Sequence, residues 1–513
     1  MNIETLIDRL KTIYEEILRE GSRTNALSDS VHPDFRLSVQ NLYRYLILRN
    51  YDLRDLHDPL SDLGISSLRS AEGYVLGNLH HVLRLLHLLD GKLWPASPPQ
   101  ESIGYAQSKA LIRAHSNRLF GRPADYSTKE IMVTMPEEAA DDIELVEQMA
   151  IHGMTIARIN LSHGDEIMWL AMVKTIREAS RRTGKDLRIY MDLAGPKIRI
   201  EFPEPRGEEG KKVKTLPIYE GISLSLEKKP VDYGRFKEAV ERADGNIPIP
   251  VNLSIPEVID ALKQGDKVFF DDGMVRAEIT QAFEDTAVVR VLKTFKTKLK
   301  ANKGMNLPQL TLELPSLTKK DHEDLPFIAK HADILGYSFV QRKSDVIRLF
   351  ERLREFGDQM PGVVLKIENQ KAFNRLSLIL LEGMKHNRIG VMIARGDLAV
   401  EIGFDRISEV QNEILLLCEA AHVPVIWATQ VLDNLAKKGI ATRAEISDAA
   451  LSVRSECVML NKGRYILDAI SELQTILDRM ESHSSKNKNA LRPLSIARRN
   501  LKRIRKMQAN PNR

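Results

Sequence analysis

Three short runs carry residue types that chemistry needs. "VVLKIEN" sets Lys366 and Glu368 two positions apart, so both project to one side of an extended chain. "IGVMIARGDLAVEI" supplies Arg395, Gly396 and Asp397, and "IARINLSHG" supplies Arg158, Asn160, Ser162 and His163. Asp192 closes "RIYMDL" and Thr429 closes "VPVIWAT". Glu368 and Asp397 are hard oxygen donors of the kind that hold a divalent cation such as Mg²⁺, which keeps waters for a substrate to replace. Lys366 and Arg158 beside such an ion favour anionic oxygens. The Gly-Asp turn adds backbone N–H groups that open a helix toward a carboxylate. The pattern points to a small, multiply anionic substrate, and metal-dependent phosphoryl transfer and enolate chemistry both fit it.

Each of these residues ends an apolar run, and the runs define the fold. From Lys129 onward eight runs alternate with helical patterns: "EIMVT", "IARIN", "RIYMDL", "ILGYSFV", "VVLKIEN", "IGVMIAR", "VPVIWAT" and "CVMLN". Near-continuous apolar strands suit a parallel sheet covered on both faces, and eight of them predict an α/β fold, a (β/α)₈ TIM barrel. In such a barrel the working groups sit at the C-terminal ends of the strands, where these polar residues fall. The barrel is expected over 129–200 and 303–480. Residues 201–302, with alternating stretches such as "DKVFFDDGMVRAEI", predict a small inserted β domain after the third strand.

Residues 1–95 predict a helical region, with Ile3, Leu6, Ile7, Leu10, Ile13 and Leu18 at helical spacing. His80, His81 and His87 lie in its last helix without acidic or Cys companions and are expected to pack or face solvent. The Pro-rich segment that follows predicts a linker over 96–128. The chain has 513 residues, 43% hydrophobic and 28% charged, and only two cysteines, Cys418 and Cys457, with no metal-ligand spacing. With no apolar run long enough to span a bilayer, a cytoplasmic protein is expected. The net charge of +5 comes from ten Lys/Arg after Glu481, which leave −5 for the rest. The basic tail, 481–513, is expected to be largely solvated. A face of Leu491, Leu494, Leu501 and Ile504 offers a helix that meets an anionic surface or another subunit.

These runs together resemble the pyruvate kinase family over about Lys129 to Leu477. "ARINLSHG", "MDLAGPKIR", "FFDDGMV", "KGMNLP", "SFV", "KIEN", "ARGDLAVEI", "WATQVL" and "TRAEISDAA" follow in family order. The resemblance implies transfer of the phosphoryl group of phosphoenolpyruvate to ADP, giving pyruvate and ATP, with Mg²⁺ or Mn²⁺. It implies that Lys366 stabilises the phosphoryl group in transit, that Glu368 and Asp397 hold the divalent ion, and that Arg158 contacts phosphate. Thr429 matches the threonine near substrate and proton delivery, and Gly396 with Asp397 the turn that holds the substrate carboxylate. Asn160, His163 and Lys303 match positions near the nucleotide, with Asp272 on the inserted lid. The family's monovalent-cation site corresponds to Asn160, Ser162, Asp192 and Leu193, where the family has threonine at the last. Lys197 stands where the family usually has glutamate, so its ammonium is expected in place of K⁺, which is then not required.

The chain departs from the family pattern in three places. "TMPEEA" after the first strand brings Glu137 and Glu138 toward the nucleotide side, which weakens the expected hold on ADP. "MLNKGRYILDAI" after the eighth is shortened, with Asn461 where the family has serine. After about Leu477 only the basic tail follows, where the family usually continues into a regulatory domain, so sugar-phosphate activation is not expected. A homo-oligomer is expected. Two other functions fit the altered loops: another metal-dependent enzyme of a 2-oxo acid or enolate, and a non-catalytic regulatory relative that acts through its helical front and basic tail.

Overall fold

The computed structural model describes residues 1–99, 101–123, 128–205, 213–243, 245, 247–308, 310, 314–357, 359–481 and 494–509. Eight parallel strands close into a barrel: Glu130–Thr134, Ile156–Asn160, Arg188–Asp192, Ile334–Tyr337, Gly362–Ile367, Ile389–Ala394, Val425–Val431 and Cys457–Leu460. They are the eight apolar runs of the sequence. Each pairs with its neighbours in register, Met132 opposite Ile156 and Glu130 opposite Cys457 where the ring closes. The helices between them start on local caps that satisfy otherwise unpaired N–H groups. Asp165 caps the Glu166–Thr183 helix through Met168 N–H, and Thr318 with Asp321 forms a capping box before Lys319–His331.

The insert between the third and fourth strands builds a seven-stranded sheet with its own apolar core, around Leu224, Phe236, Phe270 and Val289. Its outer strands, Ile200–Glu201 and Met305–Asn306, adjoin the two connections to the barrel.

The first helix, Ile3–Arg19, buries Leu6, Ile7, Leu10, Ile13, Tyr14 and Ile17, while Leu18 is exposed. His80 donates from Nε2 to Pro95 O (3.1 Å) and shares a hydrogen bond between Nδ1 and Tyr14 Oη (3.1 Å), and His87 stacks on Trp94. The expected linker is corrected: about half of it is a helix, Tyr105–Phe120, ended by Gly121 in the left-handed region at φ 65°. Leu119 and Phe120 enter the N-terminal end of the barrel and pack inside it with Ile156, Val364, Met392 and Cys457. Gly362 and Gly390 make the room, since a Cβ on either would lie 2.9 or 2.5 Å from Leu119. The periodicity of this helix is weak, because its buried apolar residues are confined to its last turn, Ser108 and His115 being among its buried polar ones, and the prolines before it dominate the reading.

The expected solvated tail is also corrected. Ser495–Ala509 is a helix that buries Ile496, Ala497, Leu501 and Ile504, packed against Arg36–Leu48 and Leu376–Gly383, and Leu494 just before it is buried too. Arg505 pairs with Glu16 (2.9 Å) and Glu20 (3.2 Å). The apolar spacing and two acids at the end of the first helix outweigh the solvation of a basic segment; Leu491 lies outside the described residues. Cys418 and Cys457 are buried without a disulfide. No helix among the described residues is long and apolar enough to cross a membrane.

Candidate active site

The C-terminal ends of the strands surround a cavity of about 150 Å³. It is lined by Arg158, Asn160, Ser162, Leu193, Lys197, Lys366, Glu368, Asp397 and Thr429, so nine of the singled-out residues meet there. Asp192 stands just behind it, almost fully buried, and receives Arg158 Nε at 2.5 Å, Tyr190 Oη at 3.0 Å and the Lys366 ammonium at 3.3 Å. Gly336 on the fourth strand is required here, because a Cβ would lie 2.2 Å from the Asp192 carboxylate and 2.1 Å from Tyr190 Oη. Lys366 also donates to Ser338 Oγ (2.8 Å) and pairs with Glu368 (3.1 Å).

Three cations, Arg158, Lys366 and Lys197, therefore face three carboxylates, Asp192, Glu368 and Asp397. Burial pushes the Asp192 carboxyl up, but Arg158 and Lys366 outweigh it and hold it below its ordinary value. Burial pulls the Lys366 ammonium down, and Asp192 with Glu368 more than restores it. Glu368 goes the other way: burial raises it, Lys366 opposes and Asp397 adds to the rise. Its second oxygen accepts the Phe339 N–H at 2.6 Å. The pair Glu368 and Asp397 offers only oxygen donors on one wall, and two carboxylates leave coordination positions for water or substrate, as Mg²⁺ requires. No cluster of three or more metal-ligating side chains occurs among the described residues.

The seventh strand is distorted at the site. Thr429 and Gln430 lie at φ 68° and 58°, in the left-handed region that a β-branched residue rarely adopts, and the register to the eighth strand breaks between Trp427 and Val431. Arg395 holds this bend by donating to Ala428 O (2.9 Å) and Thr429 O (2.5 Å), stacking on Trp427 and pairing with Asp448. Gly396 N–H, expected to face a substrate carboxylate, donates instead to Thr429 Oγ1 at 2.8 Å.

The other singled-out residues lie as follows. The Lys197 ammonium shares the cavity with Asn160, Ser162 and Leu193 but pairs with Asp397 (2.8 and 3.0 Å to its two oxygens) and with Asp272 of the insert (3.7 Å). It goes there because those carboxylates bracket it, whereas Asp192 is already taken by Arg158 and Lys366. Asn160 and His163 line a neighbouring cavity of about 270 Å³ with Glu137, Trp169, Asn461 and Lys462. Lys303 and Asp272 are not among its lining residues; Lys303 pairs with Asp271 at 2.8 Å.

Sequence reasoning missed Ser338, Phe339, Asn306 and Glu401. Ser338 bridges the Lys366 ammonium to Leu193 O (2.7 Å), and Asn306 spans Asp397 (3.3 Å) and Glu401 (3.4 Å), whose carboxyl burial pushes up to about 7. Both lie inside motifs already quoted, "SFV" and "KGMNLP", so a signal was present.

Residues 126–470 match the family described as pyruvate kinase, barrel domain. A pyruvate kinase of Bacillus licheniformis is 32% identical over 352 residues, covering 67% of this chain and 55% of the relative. One of Geobacillus stearothermophilus is 30% identical over 350 residues, with the same coverage. The chain thus spans about half the length of the curated relatives it matches. A solved pyruvate kinase from Cryptosporidium parvum superposes with a TM-score of 0.57 at 26% identity, over 71% of this chain and 73% of that one.

Proposed function

Because this chain belongs to the pyruvate kinase family, we propose that it transfers the phosphoryl group of phosphoenolpyruvate to ADP, giving ATP and pyruvate. The observation that carries the reading is the meeting of Lys366, Arg158, Glu368 and Asp397 on one cavity. In the reaction the phosphorus–enol oxygen bond breaks, an ADP β-phosphate oxygen takes the phosphorus, and the enolate carbon takes a proton. Charge spreads over the phosphoryl oxygens in transit, and catalysis of such a transfer is chiefly positioning and electrostatic stabilisation. Arg158, fixed by Asp192 and Thr134, orients the phosphate, and the Lys366 ammonium, steered by Ser338, meets the charge that develops. Thr429 Oγ1 accepts the Gly396 N–H, which leaves its own O–H as a donor on the cavity wall for the proton-delivery step.

Glu368 and Asp397 would hold Mg²⁺ or Mn²⁺. Bound there, the ion supplies charge neutralisation for the substrate's carboxylate, enolate and phosphoryl oxygens. Asn160 and His163 would face the nucleotide from the neighbouring cavity, with Lys303 and Asp272 on the inserted lid, which excludes water when closed. Lys197 supplies a positive charge within the cavity, which favours turnover without K⁺. A cytoplasmic homo-oligomer is the setting this chemistry fits. The exposed Arg498, Arg499, Lys502 and Lys506 are the tail residues that would meet an anionic surface.

Glu137 at the nucleotide-side cavity favours a second reading, in which a less anionic acceptor than ADP takes the phosphoryl group. Pyruvate formation from phosphoenolpyruvate and ADP with Mg²⁺, in K⁺ and in tetramethylammonium, tests all of this. Equal rates are expected. A requirement for K⁺ removes the role given to Lys197, phosphoenolpyruvate consumption independent of ADP selects the second reading, and no consumption overturns the proposal.

A further inference from the structure

The Lys197 ammonium joins two parts of the molecule, the barrel and the inserted sheet. It sits 2.8 Å from Asp397 Oδ1 and 3.0 Å from Oδ2 on the barrel, and 3.7 Å from Asp272 on the inserted sheet. Its stem runs against the return connection of that sheet: a Cβ on Gly304 would lie 2.4 Å from Lys197 Cε, so a side chain there would displace the lysine's end. Asp271 and Asp272 form a turn with both residues in the left-handed region, at φ 54° and 56°, which presents the Asp272 carboxylate to the ammonium. The side chains of Lys197 and Asp397 are 18% and 15% exposed, so this contact is weakly screened, whereas Asp272 is 53% exposed.

We propose that Lys197 latches the inserted sheet to the barrel through Asp272 and Asp397, and that a divalent cation binding at Asp397 releases the latch. This rests on the reading of Glu368 and Asp397 as cation ligands. A divalent ion on Asp397 repels the ammonium that holds both oxygens of the same carboxylate, so the two compete for them, whereas Lys366 keeps Asp192 when Glu368 takes the ion. Arrival of the ion therefore breaks the pair of Lys197 with Asp397. What remains is the longer, half-exposed contact with Asp272, which is worth little by itself. The ammonium stays in the same cavity, free to meet anionic substrate oxygens. Coupling of this kind is reciprocal: a cation that loosens the sheet binds more weakly while the sheet is held.

The test uses the full chain without substrate or nucleotide. Mn²⁺ binding is followed by the electron paramagnetic resonance signal of the free ion, and amide hydrogen exchange is followed at residues 271–276. In the wild-type chain Mn²⁺ is expected to raise exchange at 271–276. Lys197→Met is expected to bind Mn²⁺ about tenfold tighter, to exchange rapidly there without the ion, and to show no further rise with it. Lys197→Arg, which keeps both ion pairs, is expected to restore the wild-type pattern and guards against a folding defect in Lys197→Met. Asp272→Asn is expected to raise exchange while changing Mn²⁺ affinity less, which separates a latch from simple charge removal. Mn²⁺ affinity of Lys197→Met within about twofold of wild type, or wild-type exchange that ignores Mn²⁺, overturns the latch. Glu368→Gln serves as the control: if it leaves Mn²⁺ affinity intact, the cation-site reading falls, and if it weakens binding while Lys197→Met is silent, only the latch falls.

Discussion

The two ends of the barrel are built on opposite terms. At the C-terminal mouth three cations and three carboxylates are packed together, and Thr429 and Phe339 hold left-handed backbone that costs free energy. At the N-terminal end Leu119 and Phe120 fill the barrel with apolar contact, and neutral hydrogen bonds seal the helical front against it. The Asn41 amide donates to Glu72 O (2.7 Å) and Ala420 O (2.9 Å), and the His422 ring lies against Ser38, Gly73 O and Ser108. Even the acids near that seam are pushed toward the neutral form, by burial above all: Glu72 to about 8 and Glu419 to about 7. One end gathers charge for a reaction, and the other gathers the stability that tolerates it.

Phe120→Ala tests the stable end most severely. It leaves a large void inside the barrel and is expected to cost about 3–5 kcal/mol, read by urea unfolding, with the turnover of the folded fraction unchanged. Lys366→Met is the counterpart at the mouth, where turnover is expected to fall about 10²-fold or more in the pyruvate assay. Asp192 keeps Arg158, and Glu368 takes up a proton more readily, so its loss of stability is expected to stay below that of Phe120→Ala. Similar stability and activity losses in both variants would erase the distinction between the ends.

A smaller effect sharpens it through pH. Burial depresses His422 to about 3, so the native chain keeps it neutral while the unfolded chain protonates it near 6.5. The unfolded state binds the extra proton, and stability is lost as pH falls below 6.5 toward 3. Between pH 6.5 and 5 this amounts to about 1.6 kcal/mol. The stability difference between wild type and His422→Gln, measured by urea unfolding at both values, is expected to shrink by that amount at the lower pH.

What was legible in the sequence follows from the same contrast. The eight strands read plainly, because a strand buried on both faces must be apolar throughout, and the polar residues that interrupt each run mark its mouth end. Arg158, Lys366, Glu368 and Asp397 stand out for that reason. The partner of Lys197 did not, since the choice among carboxylates is made by side chains meeting across hundreds of residues. Asn306 and Ser338 are ordinary residues until the lysine and aspartate beside them are in place. The helix that ends at Phe120 was hidden because its only buried apolar residues are in its final turn while Ser108 and His115 pack the rest of it, which leaves no apolar period. The tail helix carried that signal, but its charge argued for solvent until Glu16 and Glu20 were found opposite Arg505.

The seam at the N-terminal end also sets a timetable. Asn41 and Ala420 are 379 positions apart in the chain, and Ser38 and His422 are 384 apart. At roughly 5–20 residues per second of synthesis, about 20–80 s pass between the emergence of the front helices and that of their partners. Through that interval the front carries a finished amphipathic pattern and an empty docking face. The earliest part of the protein to be made is among the last to be completed.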